Sequence, residues 1–229
     1  PEFCIVGEPT SMEVVIGHKG KHAYSVKVDG LSCHSGQAPF GVNAINYASK
    51  LIAYIDELNK EKSINGPFDQ DYEVPYTTLH TGLINGGTIL NIVPNLCEFE
   101  FEIRNLATDD PLKLVNKIKD YTNQKLINDM HKVSSKTGIH FNEKVNYPAL
   151  DISADIEPVK KIKELLNNQK HKKVVYGTEG GLFKNRFDIP TIVCGPGSID
   201  QAHKPNEYIS IEQIKKCSNF LDNLISSYH

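Results

Sequence analysis

The chain has 229 residues, 39% of them hydrophobic and 23% charged, with a formal net charge of −3. That balance argues against nucleic acid, because there is no excess of Lys and Arg, and no acidic tail invites a basic partner. The apolar runs are far too short to cross a bilayer and no signal-peptide pattern opens the chain, so neither a membrane nor an export route is expected. Five cysteines, Cys4, Cys33, Cys97, Cys194 and Cys217, lie scattered without a CxxC pair. An odd, dispersed set reads as reduced thiols of a cytoplasmic protein rather than a disulfide frame or a zinc ribbon. The chain starts at Pro1 directly in front of a strand, which predicts a fragment or a processed product.

In chain order, apolar runs at 3–6 and 13–16 predict two strands around a turn, Glu8-Pro9-Thr10. Residues 21–30 alternate apolar and polar, as a strand with one solvated face should. At 43–61, Ala44, Tyr47, Ala48, Leu51, Ile52, Ile55 and Leu58 recur at the spacing of one helical face. A strand at 77–84 closes in Asn85-Gly86-Gly87, a turn signal. At 96–106, Phe99, Phe101 and Ile103 alternate with Glu98, Glu100, Glu102 and Arg104, predicting a half-buried antiparallel strand. Pro111 opens a second helix, since proline suits the first helical position, and a fourth strand follows at 139–145. Strand, helix, strand, strand, helix, strand over 19–148 is the order of a split βαβ, ferredoxin-like sandwich.

After Pro148 the pattern changes to helix 155–168, strand 173–176, short helix 180–185, strand 190–194 and helix 210–227. Alternating strands and helices predict a parallel-leaning layer, which the two opening strands are expected to join. The fold class is therefore α/β: an incomplete α/β layer of about four strands from 1–18 and 149–229, with a ferredoxin-like unit, 19–148, inserted into it.

Chemistry-bearing residues fall in the turns. In Cys194-Gly195-Pro196-Gly197-Ser198-Ile199-Asp200-Gln201-Ala202-His203, a strand runs into a turn and then to a single histidine among small and polar residues. At the other end of the chain, Val6-Gly7-Glu8-Pro9-Thr10 ends a strand with a carboxylate. Carboxylate oxygen and imidazole nitrogen together suit zinc, manganese or cobalt, but two ligands do not make a site. His34, in Ser32-Cys33-His34-Ser35-Gly36, is either an accessible functional imidazole or a loop histidine making local bonds. Cys33 beside it is a weak candidate nucleophile, because neighbours on extended backbone point apart. Asn91, in Asn91-Ile92-Val93-Pro94, and Arg104 form an amide and guanidinium set suited to a carboxylate, or else a capped turn and a strand-surface arginine. Gly177-Thr178-Glu179-Gly180-Gly181 leads from a strand into a helix. Its N–H groups either cradle an anion or simply make a turn.

These five motifs, in this order and spacing, resemble the M20 dinuclear metallohydrolases over essentially the whole chain, and the resemblance implies that 1–18 and 149–229 are part of a catalytic domain and that 19–148 is a lid and dimerisation domain. Within that family, Cys4-Ile5-Val6-Gly7-Glu8-Pro9-Thr10-Ser11-Met12 and Cys194-Gly195-Pro196-Gly197-Ser198-Ile199 are similar to the branch that hydrolyses N2-acetyl-L-ornithine to ornithine and acetate in arginine biosynthesis. Enzymes acting on succinyl-diaminopimelate or on other N-acyl amino acids are the alternative. The resemblance implies two zinc or cobalt ions in the complete enzyme. It implies Glu8 and His203 as ligands of one metal, and His34 as a lid histidine that polarises the scissile carbonyl in the partner subunit. Asn91 and Arg104 become substrate-binding lid residues, and Gly180 part of a loop near the substrate carboxylate. It also implies a homodimer formed through the lid. The family's other histidine ligand, bridging aspartate and paired glutamates do not precede Pro1. This chain is therefore expected to be inert by itself, or to act only as a dimerisation and binding module.

Overall fold

The computed structural model describes residues 1–228. In chain order the elements are β1 (Cys4–Val6), β2 (Val14–His18), β3 (Lys21–Asp29), α1 (Ala44–Asn65), β4 (Thr78–Gly86), β5 (Leu96–Arg104), α2 (Pro111–Tyr121), α3 (Asn128–His131), β6 (Gly138–Tyr147), β7 (Leu150–Asp151), α4 (Glu157–Leu165), β8 (His171–Val174), α5 (Gly180–Phe187), β9 (Thr191–Val193) and α6 (Ile211–Ser226). They form two compact units. One comprises Pro1–Gly20, Asp69–Pro75 and the chain from Tyr147 onward, and the other comprises Lys21–Phe68 and Tyr76–Asn146.

In the second unit the sheet order is β4-β5-β3-β6, with β3 and β4 each antiparallel to β5. This is the strand order of a ferredoxin-like sandwich, as the alternation at 21–30 and 96–106 predicts. Alternate residues Val26, Val28, Phe99, Phe101 and Ile103 are buried against Ala48, Leu51 and Ile55 of α1 and Leu114 and Ile118 of α2. Each such side chain contributes about 1.5–3 kcal/mol when fully buried. α1 starts where the Asn43 side chain accepts the Asn46 N–H at 3.0 Å, and it stops at Gly66, whose φ of 70° suits glycine. α2 begins with Asp110 as cap and Pro111 in the first turn. It runs on through a wider π-type stretch, Thr122–Ile127, into α3.

In the first unit β1 and β9 run parallel, with Cys4↔Thr191 and Val6↔Val193 in register. β2 is antiparallel to β9 and β7 and parallel to β8. The opening strands thus join the later layer, but the sheet is mixed rather than parallel-leaning. Among the described residues it holds five strands where about four were expected. The additional strand, β7, is two residues long, too short to show a period. β8 lies two residues earlier than expected because His171, Lys172 and Lys173 hide it behind polar side chains. Met12, Val14, Val15, Leu150, Ile162, Ile192 and Phe220 make the core. The cysteines are all free, and burial pushes the Cys194 thiol up to about 11, so it stays protonated.

Asp69–Pro75 crosses from the sequence of the second unit to pack with the first. Its ends meet, the Asp69 N–H donating to Pro75 O at 2.8 Å. Lys173 Nζ holds it, 2.7 Å from Asp69 and 2.7 Å from Asp151, with the buried Tyr72 ring 5.7 Å away. Burial works against the Lys173 charge, but the bonds to Asp151 and Asp69 outweigh it and hold its pKa above the ordinary lysine value. Lys173→Met keeps the stem and removes the charge, leaving half-buried Asp69 and the more exposed Asp151 without their partner. We expect it to destabilise this unit by about 2 kcal/mol. An unchanged urea midpoint would show that the ion cluster contributes nothing.

Candidate metal and substrate site

Glu8 and His203 lie in the loops that leave the C-terminal ends of β1 and β9, neighbouring parallel strands. In open α/β sheets such strand ends are where ligands collect. The two loops are bonded together. Cys194 N–H donates to Val6 O at 2.9 Å, Thr10 N–H and Met12 N–H both donate to Gly195 O, at 3.2 and 2.9 Å, and Ser11 N–H donates to Gly197 O at 2.6 Å. Buried Thr10 is the staple: its Oγ1 donates to Glu13 O at 2.8 Å and accepts the Gly195 N–H at 3.2 Å. The turn is tight enough to hold Ser11 and Met12 at φ 58° and 60°. Gly195 is required here, because a Cβ would lie 2.3 Å from Gly7 O.

His203 is exposed at φ 61°, and its N–H donates to the Glu207 carboxylate at 3.3 Å. Glu8 is half-buried, and after burial its charge is a further cause raising the Tyr176 phenol. A cavity of about 470 Å³ lies along the same loops, lined by Pro9, Pro196, Gly197, Ser198, Gln201 and Glu207 among others. Glu8 and His203 are donors of a type that suits a divalent ion, brought to one end of one sheet. The described residues gather no group of three or more His, Cys, Asp or Glu for such an ion, whereas zinc takes three or four protein ligands. The donors fit as part of a metal shell and do not complete one.

The anion-cradle reading of the Gly177–Gly181 turn needs correction. The Thr178 and Gly181 N–H groups both donate to His18 Nε2, at 3.4 and 3.2 Å, and the Gly180 N–H donates to Thr178 Oγ1 at 3.0 Å. Those donors are already taken. Gly180 itself is buried.

In the second unit, His34 and Asn91 are brought together. Ser35 N–H donates to Asn91 O and Val93 N–H to Cys33 O, each at 2.9 Å, and His34 bridges Ile92. The His34 ring accepts the Gly36 N–H through Nδ1 at 3.2 Å. With that lone pair engaged, the ring proton sits on Nε2, and the exposed His34 presents an N–H donor outward. Cys33 Sγ instead donates to Gln37 O at 3.3 Å, which leaves no Cys–His pair. Arg104 is elsewhere. It ends β5, whose first residue, Leu96, lies near the Asn91 loop, so eight strand steps separate the two ends by roughly 27 Å. Its Nε donates to Glu102 at 2.9 Å, and Glu102 also receives Lys21 at 3.0 Å. Burial opposes ionisation of Glu102, yet these two cations hold its carboxyl below the usual range.

Two contributors escaped the sequence reading. Thr10 stands in the Val6–Thr10 motif, where nothing local marks it as a staple between distant loops. His18 was missed altogether, although a histidine ending the run Val14-Val15-Ile16-Gly17 signals a polar group that must find partners in a core.

Residues 16–130 match the M20 peptidase dimerisation domain. The chain belongs to the M20 peptidase family. This M20 chain is 32% identical over 232 residues to an acetylornithine deacetylase of Aliivibrio salmonicida, covering 98% of the chain and 57% of the relative. An acetylornithine deacetylase of Buchnera aphidicola subsp. Acyrthosiphon pisum is 33% identical over 235 residues, covering 100% and 58%. The M20 chain therefore spans under three-fifths of these relatives' length. In fold it is similar to a tripeptidase from Staphylococcus aureus, with TM-score 0.73, 22% identity, and 96% of this chain and 55% of that one covered. It is also similar to the aminopeptidase PepT from Bacillus cereus, with TM-score 0.75, 21% identity and the same coverage.

Proposed function

We propose that this M20 chain is the larger part of a metal-dependent amidohydrolase that removes the acetyl group from N2-acetyl-L-ornithine, giving ornithine and acetate. The observation that carries the reading is the pair of stapled loops at the β1 and β9 ends, which bring a carboxylate and an imidazole to one end of one sheet. The names of the relatives that match nearly all of the chain support the substrate. Succinyl-diaminopimelate and other N-acyl amino acids are the alternative substrates of the same chemistry. The reaction belongs to arginine biosynthesis and would place the protein in the cytoplasm. Among the described residues no helix is long and apolar enough to cross a membrane.

In this reading Glu8 and His203 hold one of two divalent ions, zinc or cobalt, and the bound ions supply an activated water. His34 donates its Nε2–H to the oxygen on which charge develops. Asn91 and Arg104 orient the substrate, and Gly180 belongs to the loop beside its carboxylate. The span of β5 keeps His34 and Asn91 of one copy away from Arg104 of the same copy. Both sets can meet one small substrate only if two copies contribute, which favours a homodimer. By itself the chain is proposed to be inert. Metal analysis and hydrolase assay, comparing this chain with a version extended at its N-terminus, test the reading. Activity and metal that appear only in the extended version support it, and an extended version without hydrolase activity overturns it.

Two expected results follow from the same residues. Calorimetric titration of this chain with zinc should give no sub-micromolar site, since each missing ligand removes bond energy and preorganisation. A tight site that vanishes in His203→Ala would contradict this. Sedimentation should show a dimer through the 19–148 region, whose sheet has β4 and β6 as free edges able to pair with a second copy. A strict monomer at high concentration would refute it.

A further inference from the structure

We propose that His18 is a positioning residue: as a neutral imidazole with its proton on Nδ1, it fixes the Gly177–Gly181 loop by accepting two of that loop's backbone N–H groups. This rests on the preceding reading only for its effect on substrate.

The tautomer follows from the partners. His18 ends β2 with none of its surface exposed. Nδ1 lies 3.0 Å from Lys19 O, and a carbonyl oxygen only accepts, so Nδ1 carries the hydrogen. Nε2 lies 3.2 Å from Gly181 N and 3.4 Å from Thr178 N, and amide nitrogens only donate, so Nε2 is bare. One protonation state meets all three contacts. The other neutral tautomer fails at both nitrogens, and the imidazolium turns an N–H against two N–H groups.

The loop has little other freedom. Its Gly181 sits where a Cβ would lie 2.3 Å from Pro148 O, and at Gly177 a Cβ would meet the Tyr147 ring at 2.0 Å. Backbone packed this closely needs its N–H groups paired, because a buried unpaired amide is costly. His18 supplies an acceptor 160 residues away in sequence, which ties the start of α5 to the end of β2.

The surroundings agree. The register partners of His18, Leu150 on β7 and Val174 on β8, are apolar; the charge of Glu179 in the loop acts on the ring, and the next residue along the chain is the buried Lys19. Burial holds the ring below the ordinary histidine value, against the opposing pull of the Lys19 carbonyl and of Glu179. For a group with a depressed folded pKa the stabilisation is full above the unfolded value, about 6.5, and is lost as pH falls below it towards the folded value. Acid therefore loosens the loop.

The experiment has two arms. On this chain, ring-nitrogen NMR should show Nδ1 protonated and Nε2 bare at pH 7. Amide exchange at Gly181 should be at least tenfold slower than in His18→Leu and retained in His18→Gln, whose amide oxygen can stand where Nε2 stood. An Nε2–H or doubly protonated ring at pH 7, exchange at Gly181 unchanged in folded His18→Leu, or protection at Gly181 lost in folded His18→Gln overturns the assignment. If His18→Leu does not fold, the parent's tautomer and the Gln variant still decide. In the N-terminally extended enzyme, KM for N2-acetyl-L-ornithine should rise about tenfold in His18→Leu with kcat within about threefold. The parent's KM should also rise at acid pH, and His18→Gln should remove that rise. An NMR arm that holds with KM unmoved overturns the positioning role. A parent enzyme without activity on this substrate is the failure of the functional reading, and the NMR arm then decides the assignment alone.

Discussion

In the extended enzyme, His34→Ala is expected to lower kcat by about 10²–10³ while KM changes only a few-fold. The expectation comes from how the ring is held. Gly36 N–H occupies Nδ1, so the outward nitrogen is a donor without any proton uptake. A donor aimed at charge that exists only in the transition state contributes to turnover and little to ground-state binding. His34→Gln retains an N–H at similar reach and should recover part of the loss. The same residue tests the dimer. Chains disabled at His34 mixed with chains disabled at Glu8 should regain activity, because one active site of the mixed dimer then has an intact metal shell and an intact visiting histidine. If mixed dimers form and no activity returns, His34 does not act across the interface.

Gly195→Ala should be the most damaging small change in the first unit. The added Cβ would stand 2.3 Å from Gly7 O, 2.5 Å from Gly7 C and 2.6 Å from Glu8 O, all backbone atoms that cannot swing aside. Overpacking of this kind costs about 1–3 kcal/mol. The relief available is to part the two loops, which breaks the Thr10 bonds to Gly195 and separates Glu8 from the strand end that leads to His203. Loss of stability and loss of metal affinity in the extended enzyme should therefore appear together. Gly7→Ala is the control, since nothing lies within 4 Å of its Cβ position, and it should change stability by no more than about 0.5 kcal/mol. A Gly195→Ala protein with the parent's urea midpoint would show that the loops yield freely.

Most of the architecture was legible because it is written in periodicity. The alternation at 21–30 and 96–106 and the stripe Ala44, Ala48, Leu51, Ile55 and Leu58 each report one buried face, and the structure buries those faces. What periodicity does not carry was missed. β7 is too short to repeat, and the two lysines of β8 read as solvent because their partners, Glu13 for Lys172 and Asp69 and Asp151 for Lys173, are distant in sequence. The wide turn at Thr122–Ile127 leaves no mark in residue types. Turn motifs pointed to Glu8, His34, Asn91 and His203. That His34 and Asn91 adjoin while Arg104 lies at the far end of the sheet follows only from strand pairing. The Thr178 and Gly181 N–H groups are taken by one buried imidazole, whose place at the end of an apolar run says that it needs partners but not which ones.

The segment Asp69–Pro75 is a closed cassette. Its first and last residues are hydrogen-bonded, and the rings on either side of it, Phe68 and Tyr76, already meet edge to face with centroids 6.5 Å apart. Cutting it out and joining 68 to 76 through a two-residue link would leave the ferredoxin-like unit with an ordinary short loop. The same excision would strip Lys173 of Asp69 and Tyr72 and open the side of the other unit. Seven residues thus belong by covalent order to one unit and by energetics to the other, and a graft of the ferredoxin-like unit onto another scaffold can leave them behind, whereas a graft of the sheet that carries Glu8 and His203 cannot.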